Sequence, residues 1–264
     1  MVKYMNLGII GYGNIGELLV QNIINNDFCN LSKLYISNKH ISKINHLKNI
    51  DSRISITQDN KEIAKNCEKI IISVKTPQLI GVLEEIKPYI TKNTHITHTC
   101  AGTQFQFQDN GLTCVIPTIA STYDKNNSKK GISLILHDEN VSKEDKKYIE
   151  DLFEKFSYVK VLDNELDLEI TTIAASCMPA FIAFNIDLLS NKLSQKCNLT
   201  KDELFKILTE TSTSTTYLLN QDIYTSDELI NKVATKNGIT QKGLDNLSED
   251  LPNLYKKLIC KLLH

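Results

Sequence analysis

Short, continuous apolar runs alternate with amphipathic stretches along the first part of the chain. The runs read as strands at Met5–Ile10, Lys33–Ser37, Ile54–Ile56, Ile70–Val74, Thr94–Thr99, Thr113–Ile116, Ile132–Leu136 and Val159–Val161. Apolar residues at helical spacing predict helices over Ile15–Asn25, Ser42–Leu47, Lys61–Asn66, Gln78–Ile86 and Lys143–Phe156. Ser142 offers its hydroxyl to the first turn of the last of these, with Asp145 three residues on. Such alternation predicts a mostly parallel sheet with helices on both faces.

The texture changes after about Asp163. Leu166 to Lys196 reads as one long, largely apolar helix interrupted only by Pro179. A capping box, Thr200-Lys-Asp-Glu203, opens a second helix, and Thr225-Ser-Asp-Glu228 looks like a third start. No strand signal returns. A long apolar helix with few partners of its own is expected to bury itself against another subunit, so an obligate homodimer through this part is expected.

Chemistry enters at the first strand. Gly11-Tyr12-Gly13-Asn14-Ile15-Gly16 follows it directly and leads into a helix. In that context Gly11 permits the tight turn, Gly13 lets a pyrophosphate approach the backbone, and Gly16 lets helix and strand pack closely. The helix N-terminus then holds the phosphates. The sequence therefore predicts an α/β Rossmann-type dinucleotide-binding domain over residues 1–162, followed by an all-helical dimerisation domain over 163–264.

An NAD-specific site of this kind carries an acidic residue at the end of the second strand. Here that strand ends Tyr35-Ile36-Ser37-Asn38-Lys39-His40, without a carboxylate. A hydroxyl, an amide and a cation suit a ribose 2′-phosphate, so NADP(H) is the expected cofactor, with NAD(H) possible.

The net charge of −1 argues against a nucleic-acid or membrane-surface partner, and no apolar run is expected to reach the length of a membrane span. The chain enters its first strand almost at once, so no signal peptide is expected. Seven scattered cysteines, with no paired or metal-ligand spacing, fit free thiols in a cytoplasmic protein. No metal site is expected, because His95 and His98 fall on opposite faces of a strand.

Only two of the ten glycines lie after Gly131, both within Val233-Ala-Thr-Lys-Asn-Gly238-Ile-Thr240-Gln-Lys-Gly243. Gly238 is expected to have a positive φ or to allow the close approach of a ligand, and Asn237 tolerates a left-handed conformation beside it. The turn, followed by a helix starting near Thr240, either holds a small carboxylate or is an ordinary helix connection capped by Thr240.

This segment resembles the signature of pyrroline-5-carboxylate reductases, Ser-Pro-Gly-Gly-x-Thr-x-x-Gly/Ala-Leu, in Thr235, Gly238, Thr240, Gly243 and Leu244. The glycine fingerprint, Val74-Lys75-Thr-Pro77, Ala101-Gly102, Ile116-Pro117 and Cys177-Met-Pro179-Ala-Phe181 resemble further family motifs in the same order. The resemblance implies NADPH- or NADH-dependent reduction of 1-pyrroline-5-carboxylate to proline, in dimers that often assemble into decamers. It implies that Thr235, Asn237, Gly238 and Ile239 bind the substrate and that Thr240 is the catalytic residue, bonded to the ring nitrogen. On the cofactor side it implies roles for Asn60, Val74, Lys75 and Pro77 along the adenosine and pyrophosphate, and for Ser37, Asn38 and Lys39 at the 2′-phosphate.

The chain departs from the family at Thr118-Ile119-Ala120, Lys236-Asn237 and Met178, changes similar to a branch associated with bacterial competence operons. Another small imine or keto acid, or a non-catalytic NADPH-binding regulator, are the alternatives these departures leave. Cys177 is expected to be buried and inert. His98 is expected to be an ordinary strand-end residue, and Thr209–Thr216 an interface helix.

Overall fold

The computed structural model describes residues 5–26, 31–101, 111–118 and 131–263. In chain order come β1 (Met5–Ile10), α1 (Asn14–Asn25), β2 (Leu31–Ser37), β3 (Ile54–Thr57), α2 (Asn60–Asn66), β4 (Lys69–Ile72) and α3 (Leu79–Ile86). There follow β5 (His95–His98), β6 (Leu112–Pro117), β7 (Ile132–His137), α4 (Lys143–Glu154) and β8 (Tyr158–Leu162). The described strands form one sheet in the order β3-β2-β1-β4-β5-β6-β7-β8. All pairings are parallel except β6 with β7. β1 lies between β2 and β4, so the winding reverses there and opens a crevice at the carboxyl ends of these strands.

Side-chain character explains the layers. Leu7, Ile9, Ile70, Ile71 and Ile72 are all within 1% of complete burial, as central parallel strands covered on both faces require. Leu19 and Ile23 of α1 pack with Leu152 and Phe153 of α4 in one core, and Ile63 of α2 with Leu83 and Ile86 of α3 in another. Ser142 caps α4 as the sequence suggests, accepting from the Asp145 N–H.

The segment 42–47 is two 3₁₀ turns, Ile41–Lys43 and Asn45–Asn49, rather than an α-helix. Its buried anchors, Ile44 and Leu47, are three apart, and three residues per turn aligns both with the core.

After the sheet come α5 (Glu165–Thr172), a π-helical turn (Ile173–Cys177), α6 (Met178–Ser194), α7 (Lys201–Asn220), α8 (Ser226–Val233) and α9 (Ile239–Leu262). The long helix expected here is thus 165–194, locally widened just before Pro179. A proline inside a helix loses one backbone bond and crowds the carbonyl four residues back, and a π turn relieves that crowding. Both capping boxes, at Thr200 and Thr225, are formed.

The chain divides into two compact units, Met1–Pro179 and Ala180–His264. The first compact unit runs past the last strand to Pro179, because Leu168 and Ala175 share a buried cluster with Cys114, Ile116, Leu134 and Leu162 at the end of the sheet. Cys177 is half-buried in the single chain, not buried as expected. Glu165–Ser194 is by length and composition long and apolar enough to cross a membrane, which corrects the expectation that no run approaches that length.

Within the second unit only Ser190 and Leu204 are buried among the described residues. Phe184, Tyr217 and Leu254 are each at least 58% exposed. A unit with so little interior cannot stabilise itself by apolar burial, so its exposed apolar faces mark an association surface.

Candidate active site

Gly11, Gly13 and Gly16 act in three different ways at the carboxyl end of β1. Gly11 has φ 99°, and a Cβ there would lie 2.3 Å from the Ser73 carbonyl oxygen. A Cβ on Gly16 would lie 2.2 Å from the Gly11 oxygen. These two are required by the protein itself. Gly13 has nothing within 4 Å of its Cβ position, so its lack of a side chain keeps open space rather than avoiding a clash.

Gly13 is also the N-cap of α1, and no side chain caps that helix. A serine or aspartate there would occupy the free first-turn N–H groups itself. Gly13 and Asn14 are exposed, so an anion can reach those donors. The arrangement fits a dinucleotide pyrophosphate. Ile15 packs inward against the core, and the Tyr12 ring meets His46 edge-on at 6.3 Å between centroids.

The strands on either side complete this end of the sheet. Gly11 N–H donates to the Ser37 carbonyl at 2.9 Å, and Ser73 N–H donates to the Ile10 carbonyl at 2.7 Å. The Ser37 hydroxyl donates to Asn60 Oδ1 at 2.6 Å, and Asn60 Nδ2 donates to Glu85 Oε2 at 2.8 Å. Asn38 N–H donates to the Thr57 carbonyl and Gln58 Nε2 to the Lys39 carbonyl, leaving the Lys39 side chain exposed. After β4, Val74 is half-buried and Lys75 exposed, leading into a 3₁₀ turn with Pro77 at its start.

The structure therefore gathers Gly11–Gly16, Ser37–Lys39, Asn60 and Val74–Pro77 at one end of the sheet. Sequence reasoning missed Ser73 and Glu85. Both contacts arise between elements far apart in sequence, and no local pattern marks them.

His98 is buried, accepts a hydrogen bond from Cys100 N–H, and burial lowers its pKa to about 4. It is a neutral residue at the strand end. His95 occupies a separate environment, with its Nε2 2.9 Å from Thr113 Oγ1. Gly102, Ile119 and Ala120, named in the sequence motifs, lie outside the described residues.

In the second unit the glycine turn takes a different form from that expected. The positive φ, 63°, belongs to Asn237, while Gly238 has φ −74°. Gly238 instead permits a close approach: a Cβ would lie 2.4 Å from Thr235 Oγ1. Its N–H donates to the Thr235 carbonyl at 2.8 Å. Gly238 is the N-cap of α9 with no side-chain capping bond, so Thr240 lies in the first turn and does not cap it. The N–H groups of that turn lack partners within the helix, and the Thr235 hydroxyl stands close to Gly238, a suitable seat for a carboxylate. Ile239 is 89% exposed beside them.

The comparisons with known proteins match both units. Residues 165–262 match the family model described as pyrroline-5-carboxylate reductase dimerisation, and residues 6–101 match NADP oxidoreductase coenzyme F420-dependent. A pyrroline-5-carboxylate reductase of Methanobrevibacter smithii is 69% identical over 245 residues, covering 93% of this chain and 98% of that protein. ComE operon protein 4 of Bacillus subtilis is 24% identical over 96% of this chain and 92% of its own length. The crystal structure of Plasmodium falciparum pyrroline carboxylate reductase with NADP bound superposes with a TM-score of 0.79 at 20% identity, covering 99% of this chain and 95% of that one. On the near-complete match at 69% identity, this chain belongs to the pyrroline-5-carboxylate reductase family.

Proposed function

We propose that the protein reduces 1-pyrroline-5-carboxylate to L-proline with NADPH, in proline biosynthesis. The observation that carries this reading is the 69% identity, along almost the whole chain, to a relative named for that activity. Bound NADPH supplies the hydride to the imine carbon. In this reading the open first turn of α1, with Gly13 as its uncapped start, holds the pyrophosphate. Ser37, Asn38 and Lys39 face the adenosine ribose with Asn60, while Val74, Lys75 and Pro77 line the adenosine and pyrophosphate.

The first turn of α9, from Gly238 through Ile239, binds the substrate carboxylate together with the Thr235 hydroxyl and the Asn237 turn. Thr240 hydrogen-bonds the ring nitrogen and fixes which face of the imine is presented. A protonated imine is already electrophilic, so positioning supplies much of the acceleration and little acid–base machinery is required. Lys236 adds a positive charge on the carboxylate side. The free thiols fit a cytoplasmic setting. The second unit pairs with a second copy through its exposed apolar faces, and such dimers can assemble further, as in a decamer.

The test is NADPH consumption by the purified protein with 1-pyrroline-5-carboxylate. Turnover of roughly one per second or faster is expected. Firm NADPH binding without turnover would overturn the activity and point to a different imine or a regulatory role.

A further inference from the structure

The end of β2 carries no acidic side chain of its own, yet a carboxylate acts on it from elsewhere in the fold. Asn60, at the start of α2, stands between Ser37 and Glu85 of α3. The charged end fixes the polarity of this chain of bonds. A carboxylate only accepts, so the Asn60 amide turns its NH₂ to Glu85 and its carbonyl to Ser37. That carbonyl also only accepts, so Ser37 must donate. Ser37 is 1% exposed on the last rung of β2, and its backbone carbonyl is held by the Gly11 N–H. With its proton committed, its hydroxyl has only lone pairs to offer a ligand.

A ribose 2′-hydroxyl and a 2′-phosphate make opposite demands on that oxygen. The hydroxyl donates to a lone pair, whereas the phosphate needs donors and cations. We propose that Glu85 is a positioning residue for dinucleotide specificity. Acting through Asn60, it withholds the Ser37 proton and sets a half-buried negative charge behind the ribose site. Both effects favour a 2′-hydroxyl and oppose the pull of Lys39 on a 2′-phosphate. The acidic group that sets the preference in an NAD-type site is thus supplied from α3, one side chain removed. This inference rests on the assignment of the β2 end to the adenosine ribose.

The test is equilibrium binding of NADPH and NADH, followed by nicotinamide fluorescence, to wild type, Glu85→Gln, Ser37→Ala and the double variant. A glutamine at 85 can donate as well as accept, so Asn60 can turn over and Ser37 regains a free proton. The NADPH:NADH affinity ratio is expected to move about tenfold toward NADPH, the worth of one hydrogen bond to a charged group. With Ser37 already alanine the same change moves the ratio less, a coupling that a purely structural role would not produce. Ser37→Ala alone is expected to weaken NADH more than NADPH, which keeps the question open to test if Glu85→Gln fails to fold. A ratio unmoved by Glu85→Gln, or NADPH weakened more than NADH by Ser37→Ala, overturns the proposal alone. Failure of the wild type to bind either dinucleotide overturns the reading of the glycine turn, and this inference with it.

Discussion

Gly11 sits against the Ser73 carbonyl so closely that a β-carbon would stand 2.3 Å from its oxygen. Gly13, two residues on, has no protein atom within 4 Å of the same position. Gly11→Ala combines this clash with a φ that L-residues rarely adopt, and should cost about 3 kcal/mol of stability or more. Gly13→Ala should leave stability within about 0.5 kcal/mol of wild type. It should nevertheless weaken NADPH about tenfold or more, because the added methyl takes the pyrophosphate's space. Urea denaturation and NADPH titration of both variants check the split. Loss of stability in Gly13→Ala would mean that the open space is structural.

Thr240→Val removes the hydroxyl from the first turn of α9 and keeps the shape. Its kcat/KM for the imine should fall by about 10- to 100-fold, the range for one hydrogen bond to a charged partner. NADPH affinity should stay near wild type. Collapse of NADPH binding would show that the division into cofactor and substrate residues is wrong.

Lys39→Ala should weaken NADPH about tenfold and leave NADH nearly unchanged, since only the 2′-phosphate gains from the cation. The NADPH loss should shrink at high salt, because Lys39 is exposed and its field is screened. Equal loss with both dinucleotides would remove Lys39 from the 2′-phosphate site.

Two buried histidines, His95 and His98, and the half-buried His137 give a pH dependence of stability. Burial lowers the pKa of His95, His98 and His137 to about 4 each. Thr113 joins two of them, 2.9 Å from His95 Nε2 and 2.8 Å from His137 Nδ1, and His137 Nε2 faces Glu150 at 3.2 Å. Only one ordering of protons suits all four groups. His95 donates to Thr113, Thr113 to His137 and His137 to the carboxylate, leaving His95 Nδ1 as a buried lone pair without a partner.

Histidine in the unfolded chain titrates near 6.5, so between about pH 6.5 and 4 the unfolded state binds more protons. Stability is therefore full above about pH 6.5 and falls as the pH is lowered through that window, by at most roughly 3 kcal/mol for each histidine. Urea midpoints at pH 7.5 and 5 measure it. Equal midpoints would show that these histidines take up protons without unfolding.

Much of the architecture was legible locally. Fully apolar runs such as Ile70–Ile72 mark parallel strands, and Thr200 and Thr225 with glutamates three residues on mark helix starts, because backbone capping is a contact between near neighbours. The glycine turn was legible for the same reason, since its geometry lies within six residues. The 3₁₀ turns at 41–49 were not, because the choice between three and 3.6 residues per turn depended on where Ile44 and Leu47 met the core. At the second glycine segment the positive φ, one of two reasons the sequence offers for Gly238, belongs to Asn237. Spacing cannot tell a glycine required by φ from one required by a close neighbour.

By itself the sequence determined the alternation of strand and helix, the phosphate-binding turn, the helical second half and the family resemblance. Each rests on periodicity or on short motifs, whose physics is local. Tertiary structure decided what depends on residues distant in the chain. It set β1 between β2 and β4, placed the Ser73 carbonyl against Gly11, and joined Ser37 through Asn60 to Glu85. It also carried the compact sheet unit on to Pro179, because Leu168 and Ala175 find their buried neighbours on the sheet. Burial and hydrogen-bond polarity are properties of the assembled fold, and no stretch of sequence holds them alone.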